Sequence, residues 1–475
     1  MARCPGCEAA VREIELLRAE LAELRAELAK TQAELAKARK NSRNSSKPPS
    51  SDIVKPPKDA PQSGKKPKRA KRKRGAQPGH PRHERPPFDE SHIDFFWDYT
   101  LTECPDCGGP TAPCDAPPRV TQQVELKATP VEISEHRGLA CRCRRCHKIH
   151  YAPIDEHVRR AGLVGPRLTT LVAYLKGACH CSFSTSRKFL RDVVGVTISR
   201  GQLRNLCAKV SDSLETAYTG LLDMLSSEAC LNVDETGHKD NGRRMWTWCF
   251  RASLFTLFKI SPSRGSDVLV EVLGTEFAGL LGCDYFSAYR KYMRLNDHVL
   301  VQFCLAHLIR DIKFLVTHPE PRNRAYGRRV LKATKELFAL FHRRDRMSAR
   351  AFALEMEDAA NELCGAAKFQ VPRTPEAENL SNRFWEHGES YIRFLTTPGI
   401  EPTNNLAEQA IRFVVIDRHV TQGSRSEAGQ RWLERIWTVI ATCTQQGRSV
   451  FEFLYESVTA HFQDAASPTL LPGST

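Results

Sequence analysis

No run of apolar residues in this chain reaches the ~18 needed to cross a bilayer as a helix. The opening Met1-Ala-Arg-Cys-Pro-Gly-Cys7 also lacks the apolar h-region of a secretory signal. Both absences argue against a helical membrane protein and against export, and the expected location is cytoplasmic. Acidic side chains are in deficit as well. Fifty-five Asp and Glu stand against 70 Lys and Arg, which leaves a net charge of +15 and a pI near 9.1. Such a deficit points to a polyanionic partner. The 17 cysteines cannot form a disulfide framework in a reducing compartment, where paired cysteines suggest metal instead. The 475 residues are enough for about three domains of ~150 residues, with a sizeable core.

Near the N-terminus, Cys4 and Cys7 make a lone Cys-x-x-Cys with no clear second pair nearby, so free thiols and half of a zinc site both remain open. From Ile14 onward, Ile14, Leu17, Leu21, Leu24, Leu28, Thr31, Leu35 and Ala38 step by three and four among Glu, Arg and Lys. That is a heptad seam of more than three repeats and predicts coiled-coil self-association; the alternative is a single amphipathic helix packed on its own chain. Asn41–Asp52 is rich in turn formers and cannot bury a core. The stretch Lys55–Arg85 then carries twelve basic side chains against Asp59 and Glu84, or ten of the fifteen net charges. Its densest part includes Lys71, Arg72, Lys73 and Arg74, a composition suited to phosphate contact along duplex DNA.

Two further knuckles, Cys104-Pro-Asp-Cys107 and Cys143-Arg-Arg-Cys146, flank strand-like sequence that includes Val120–Leu126. Four thiolates in two such knuckles make a closed tetrahedral Zn²⁺ site, and a glycine after a knuckle permits the tight turn. Cys114 and Cys141 are spare. Residues 160–225 read as helices. A helix near Phe183–Arg191, a turn at Gly195 and a helix N-capped by Ser199 are compatible with a helix-turn-helix, and equally with a plain helical bundle.

Beyond Glu228 the pattern turns to strands. Leu231-Asn-Val-Asp-Glu-Thr-Gly237 starts apolar and ends in carboxylates and glycine, as a buried strand does when its last residues reach a sheet edge. Arg244–Phe250 and Leu254–Ile260 complete a meander, a helix covers Asp267–Leu273, and apolar Leu280–Cys283 leads to Asp284. A strand at Val299–Phe303 precedes a helix with Cys304 and His307. A strand-poor helical stretch then runs to about residue 400 and leads to a helix bearing Asn404, Glu408 and Arg412, which four-residue spacing puts on one face. Three antiparallel strands followed by helix, strand, helix and strand are the order of a ribonuclease-H-like core. Asp234, Asp284 and Glu408 then suit a pair of hard divalent cations with oxygen ligands, such as Mg²⁺. Two such ions can clamp both the attacking and the leaving oxygen of an in-line displacement, which points to phosphoryl transfer on nucleic acid. Taken singly, each acid also reads as a solvated turn residue. Cys304 and His307 are only two ligands, and hydrogen bonding is the plainer role for them.

The motifs together resemble the IS66 family of insertion-sequence transposases over nearly the whole chain. The residues that carry the resemblance are the leucine-rich leader, Asn44–Asp52, Gly75-Ala-Gln-Pro-Gly-His80, the two-knuckle segment, Asp234-Glu-Thr, Asp284 with Tyr289, Cys304-Leu-Ala-His307-Leu-Ile-Arg310, and Asn404-Asn405 with Glu408 and Arg412. The resemblance implies a DDE transposase in which Asp234, Asp284 and Glu408 hold Mg²⁺ or Mn²⁺. Transposon ends would be cut without a covalent enzyme intermediate, and the freed 3′-hydroxyl would attack target DNA. Arg412 would contact phosphate. Gln409 departs from the family's usual Arg, and Cys4 and Cys7 lie outside its usual pattern. Its partners would be double-stranded DNA, a second copy of the chain through the coiled coil, and accessory proteins of the same element.

The expected organisation is α/β and multidomain: a leader with the coiled-coil helix over 1–41, a basic disordered linker over 42–95, and a zinc-ribbon DNA-binding domain over 96–155. A helical, helix-turn-helix-compatible segment over 156–225 follows. The ribonuclease-H-like core takes 226–315 and 401–465, a helical insertion takes 316–400, and a tail takes 466–475. The rivals from other classes are a catalytically dead zinc-dependent DNA-binding regulator and a coiled-coil scaffold; a plain nuclease is the rival among enzymes.

The basic run yields the first prediction. Replacing Lys71, Arg72, Lys73 and Arg74 with Gln weakens binding to unrelated duplexes alike, and flattens the log–log salt dependence by roughly 0.9 for each phosphate no longer bound. Filter binding over a salt series measures this, and weakening confined to one cognate sequence would mean base readout instead.

Overall fold

A computed structural model describes residues 5–38, 87–112, 119–124, 126–127, 130–146, 148–397 and 399–471. Cys4, Cys114, Lys71–Arg74 and most of the expected linker lie outside the described residues. The chain divides into two units, residues 59–134 and the remainder, 1–58 with 135–475.

The leader forms one helix, α1, Pro5–Ala38, of 34 residues. Ile14, Leu17, Leu21, Leu24, Leu28 and Leu35 are all exposed along it. The smaller unit holds the first knuckle. There Cys104 N–H donates to Gly109 O and Gly108 N–H to Cys104 O, both at 2.8 Å, and Gly108 takes the left-handed φ of 73° that closes the turn. Val120–Val124 and Leu126, read above as strand-like, form no strand among the described residues. Apolar residues at that spacing need a ladder partner to count as a strand, and the short ladder of this region lies elsewhere. It joins β1, Ala140–Arg142, to antiparallel β2, Ile149–Tyr151, in the larger unit. The second knuckle, Cys143–Cys146, fills the β1–β2 turn, with Cys143 N–H on Lys148 O at 2.8 Å.

Helices α2 (Glu156–Ala161), α3 (Pro166–Gly177), α4 (Phe183–Phe189), α5 (Arg200–Ser213) and α6 (Glu215–Met224) follow. Ser199 caps α5, its hydroxyl accepting from Gln202 N–H at 3.1 Å. Gly195 turns the chain before it with φ 79°. Leu203, Leu206, Cys207 and Val210 make one buried stripe on α5, the i, i+3, i+4, i+7 pattern of a packed helix.

The five-stranded mixed sheet has the order β5-β4-β3-β6-β7. Strands β3 (Cys230–Asp240), β4 (Arg243–Arg251) and β5 (Thr256–Ser261) are antiparallel neighbours. Helix α7 (Ser266–Leu273) then leads to β6 (Leu280–Cys283), parallel to β3. Helix α8 (Ser287–Leu295) leads to β7 (Leu300–Phe303), parallel to β6. Strand β3 is longer than its apolar residues suggest. It runs six residues past Asp234, because antiparallel pairing with β4 continues to Asp240↔Arg243, while parallel pairing with β6 stops at Asn232↔Gly282. Asp234 therefore lies within a strand rather than at its end, just beyond the point where the parallel neighbour leaves.

After β7 come α9 (Leu305–Val316), α10 (Pro321–Phe341), α11 (Ala349–Lys368) and α12 (Pro375–Ile392), with no strand among the described residues between β7 and α13 (Asn405–Thr421). Helices α14 (Glu427–Gln445) and α15 (Val450–Gln463) close the fold. Helix α14 seals the sheet's edge strand. Thr256, Phe258 and Ile260 of β5 donate their N–H groups to Thr442 Oγ1 at 3.2 Å, Thr438 Oγ1 at 3.0 Å and Glu434 Oε1 at 2.6 Å. Alternate strand donors recur every ~6.8 Å and helix residues four apart every ~6 Å, so one helix face can satisfy the row. A bare edge would leave these donors open to another strand.

The exposed seam of α1 generates the second prediction. Replacing Leu21 and Leu28 with Glu puts charge at two heptad core positions and lowers the molar mass measured by light scattering on a sizing column; an unchanged mass rejects α1 as the association element.

Candidate active site

Three acidic side chains from distant parts of the sequence meet beside the end of the parallel pair β6–β7. Asp234 comes from β3. Asp284 immediately follows β6, and its Oδ1 accepts the N–H of Phe286 at 2.9 Å, a local turn that starts α8. Glu408 lies in the first turn of α13. All three are half-buried. Burial pushes Asp234 well above the usual carboxylate range, and the charges of Glu235, Asp284 and Glu408 push it the same way. Burial likewise raises Asp284 to about 6, with Glu235 adding to the rise and His307 and Arg264 opposing it. Acids that raise one another in this way are held together against their own repulsion, as at a site built to receive positive charge.

One amide docks the helix that supplies Glu408. Asn404, at the N-terminus of α13, is 1% exposed. Its Nδ2 donates to Val233 O at 2.7 Å, its Oδ1 accepts from Asn232 Nδ2 at 3.0 Å, and its backbone N–H donates to Cys304 Sγ at 3.2 Å. Strand β3 and the end of β7 are thus fixed to α13 within four residues of Glu408. Of the three residues expected on one α13 face, Asn404 is buried, Glu408 half-buried and Arg412 exposed. Steps of four in a helix of 3.6 residues per turn drift by about 40° each, which carries Arg412 to the rim.

Glu235 is the residue whose importance its sequence position conceals. Its side chain is 1% exposed. Arg264 donates to its Oε1 through Nε at 2.9 Å and Nη2 at 2.7 Å, and Tyr289 donates its hydroxyl to Oε2 at 2.6 Å. The Arg264 guanidinium also lies 3.9 Å from the Phe286 ring centroid and 4.6 Å from that of Trp246. No local pattern marks Arg264, which follows β5 in a Ser-Pro-Ser-Arg-Gly turn. On α9, Arg310 Nη2 lies 3.6 Å from Glu408 Oε2, and its Nη1 donates to His307 Nε2 at 3.2 Å.

The donor set suits a hard cation. Asp234, Asp284 and Glu408 offer only oxygen, and Glu408 Oε1 is buried without a hydrogen bond. Elsewhere, the thiol of Cys104 is lowered by backbone N–H groups of Asp106 and Cys107, and that of Cys143 by those of Cys146 and Arg145. Each knuckle turns amides toward its first sulfur, which favours the thiolate form that zinc requires.

Similarity to known proteins agrees with this geometry. The family model described as Transposase IS66 family matches residues 161–431, more than half of the chain and the whole of the sheet. A family of unknown function matches residues 3–86. Two curated relatives come from Sinorhizobium fredii (strain NBRC 101917 / NGR234). The uncharacterized protein y4qI is 23% identical over 336 residues, covering 64% of this chain and 60% of that protein. The uncharacterized protein y4hP is 22% identical over 376 residues, covering 72% and 67%. The chain thus spans about three fifths to two thirds of the curated relatives it matches.

The raised acids give the third prediction. A carboxyl whose folded pKa lies above its unfolded value binds a proton more tightly when folded, so it adds stability at low pH and loses it as pH rises through the folded value. For Asp284 the window runs from about 4 to about 6. In chelator, melting temperature should fall between pH 5 and 7.5. Asp284→Asn should raise it at pH 7.5 and flatten that slope, the full window being worth on the order of 3 kcal/mol of stability at about 1.4 kcal/mol per pH unit. A melting temperature that rises with pH, or an Asn variant less stable at pH 7.5, would sink this account.

Proposed function

Because this chain belongs to the IS66 family of transposases, we propose that it cuts DNA at transposon ends and joins them to target DNA, with Asp234, Asp284 and Glu408 as its catalytic carboxylates. The observation that carries the proposal is the meeting of these three acids, from β3, the end of β6 and the start of α13, close enough to raise Asp234 together. The order β5-β4-β3-β6-β7, with three antiparallel strands and two parallel ones, supports reading the sheet as a ribonuclease-H-like core interrupted by the helices between β7 and α13.

The three carboxylates would hold Mg²⁺ or Mn²⁺, whose Lewis acidity activates the attacking oxygen and steadies the leaving one. The chain's own side chains do the rest. Glu235 fixes Arg264 by two hydrogen bonds, so that this guanidinium stays beside Asp284 rather than sampling solvent. Exposed Arg412, one turn beyond Glu408, meets phosphate with a planar fork. Tyr289 donates to Glu235 and keeps that acid from competing for cations. Affinity for DNA would come from basic side chains rather than from the carboxylates, Lys71–Arg74 among them. The knuckle cysteines Cys104, Cys107, Cys143 and Cys146 would serve as Zn²⁺ ligands that steady the DNA-binding segment, and α1 would pair two copies.

The fourth prediction separates an enzyme from a DNA-binding regulator. Asp234→Asn, Asp284→Asn and Glu408→Gln each cut cleavage of a labelled transposon-end duplex by on the order of 10⁴-fold or more, the scale of losing one member of a catalytic set. Gel-shift affinity for the same duplex holds or rises, since a negative charge beside DNA is removed. Mg²⁺ or Mn²⁺ supports the reaction and Ca²⁺ does not, because Ca²⁺ prefers looser coordination by more ligands. Wild-type cleavage by Asp234→Asn would refute the assignment.

A further inference from the structure

Two residues next to the carboxylates have no part in the chemistry above. One ligand atom each of Cys304, His307 and Glu408 lie within 4.8 Å of one another. Cys304 is 2% exposed and N-caps α9; His307 is three residues further on, so the two share one side of the first helical turn. His307 Nδ1 lies 3.5 Å from Glu408 Oε1, and both atoms are buried without a hydrogen bond. This buried nitrogen and oxygen face each other beside a sulfur without forming a hydrogen bond, so their desolvation cost is only partly offset. Burial pushes the Cys304 thiol up to about 11, but backbone N–H groups of Asn404, His307 and Ala306 oppose the rise and would steady a thiolate.

We propose that Cys304, His307 and Glu408 form a second cation site, for Zn²⁺, and that filling it withdraws Glu408 from the hard-cation set. One sulfur, one nitrogen and one oxygen with a fourth position left open make a zinc ligand set of the exchangeable kind. A buried thiolate is a poor partner for Mg²⁺, which takes oxygen, and a good one for Zn²⁺. The two sites therefore select different ions while competing for one carboxylate. Binding releases the Cys304 thiol proton to solvent and involves no electron transfer. Arg310 is the opposing charge. While it donates to His307 Nε2, the neutral ring carries its proton on Nδ1; zinc on Nδ1 moves that proton to Nε2 and displaces Arg310. That side chain is 27% exposed, so it has a path to water. The site stands on its own geometry, whereas its effect on activity rests on the function proposed above.

The full-length protein is dialysed against micromolar Zn²⁺ and its metal counted by elemental analysis, alongside Cys304→Ser and His307→Gln. Cys304→Ser keeps an acceptor for the Asn404 N–H and His307→Gln keeps a polar side chain beside Glu408, so the comparison survives the loss of either variant. The wild type should hold one zinc more per chain than each variant, the knuckle cysteines being common to all three. With Co²⁺ as probe, the thiolate-to-cobalt charge-transfer band should weaken in Cys304→Ser by the share of one sulfur. Micromolar Zn²⁺ should also slow Mg²⁺-dependent cleavage by tenfold or more in the wild type, and by less than twofold in Cys304→Ser relative to its own zinc-free rate. Equal zinc counts in all three proteins overturn the site. A zinc difference in a wild type that never cleaves overturns the proposed function and leaves the site standing; cleavage slowed equally by zinc in wild type and Cys304→Ser overturns the competition.

Discussion

Asn404 is the residue on whose contacts the site's geometry depends. It brings together a strand near residue 233, the cap of a helix at residue 304 and the helix that begins at 405, through its amide nitrogen, amide oxygen and backbone N–H. Each group is buried, so each unmade bond would cost about 1–3 kcal/mol. The amide stands where β3 has parted from its parallel neighbour, past the last β3–β6 pair at Asn232. A carboxylate roughly 170 residues away in sequence can then approach Asp234, because the backbone between them is tied down four residues before it. An aspartate at 404 could not donate to Val233 O, and an apolar residue would leave both Val233 O and Asn232 Nδ2 without these partners.

Two further packings keep that contact in place. On one side, α14 satisfies the outer edge of β5, which holds the antiparallel half of the sheet as a rigid plane behind Asp234. On the other, the helices between β7 and α13 are anchored to β7. Gln302 donates to Tyr391 O at 3.3 Å and accepts from Phe394 N–H at 2.8 Å, and the rings of Tyr285, Phe303, His387 and Tyr391 pack at centroid distances of 5.0–6.1 Å. Tyr285 adjoins Asp284, so the inserted helices rest directly against the loop that carries the second acid. Displacing them would disturb Asp284 and the approach to Asn404 together.

Much of the sheet was legible because its signals are local. Alternation in Trp246–Phe250, apolar Leu280–Cys283 and Ser199 ahead of a helical stripe each act over a few residues, and each element formed within one or two residues of its expected bounds. The order of elements followed from reading them in sequence. Contacts that depend on the third dimension were not legible. The strand-like Val120–Leu126 lacked any statement of its partner, and no ladder formed among its described residues. The length of β3 is set by β4, not by its own apolar run. Arg264 and Glu235 pair across 29 residues with no periodicity to announce it. Glu408 could be suspected from Asn-Asn-x-x-Glu, but its neighbours His307 and Arg310 come from a helix about 100 residues earlier, and their closeness is a property of packing alone.

The electrostatics divide the molecule's work. The three half-buried carboxylates, with buried Glu235, form an acidic cluster that repels phosphate and strains against itself. In the sequence the surplus of positive charge is concentrated in one stretch, ten of the fifteen net charges falling in Lys55–Arg85. Under the proposed function, a polyanion would be attracted to the basic stretch and admitted to the acidic cluster only after cations neutralise it. Attraction and chemistry become separate steps with separate dependences. The first would weaken with monovalent salt through released counterions; the second would respond to the kind of divalent ion, through the number and hardness of its ligands. Arg264 and Arg310 soften the repulsion without removing it, since each is already committed to an acid, Glu235 or Glu408. Raising the charge of the cluster further, with another carboxylate in place of either arginine, would demand tighter cation binding before DNA could enter. In the same reading, removing a carboxylate would ease the entry of DNA and leave fewer oxygens for the proposed ions.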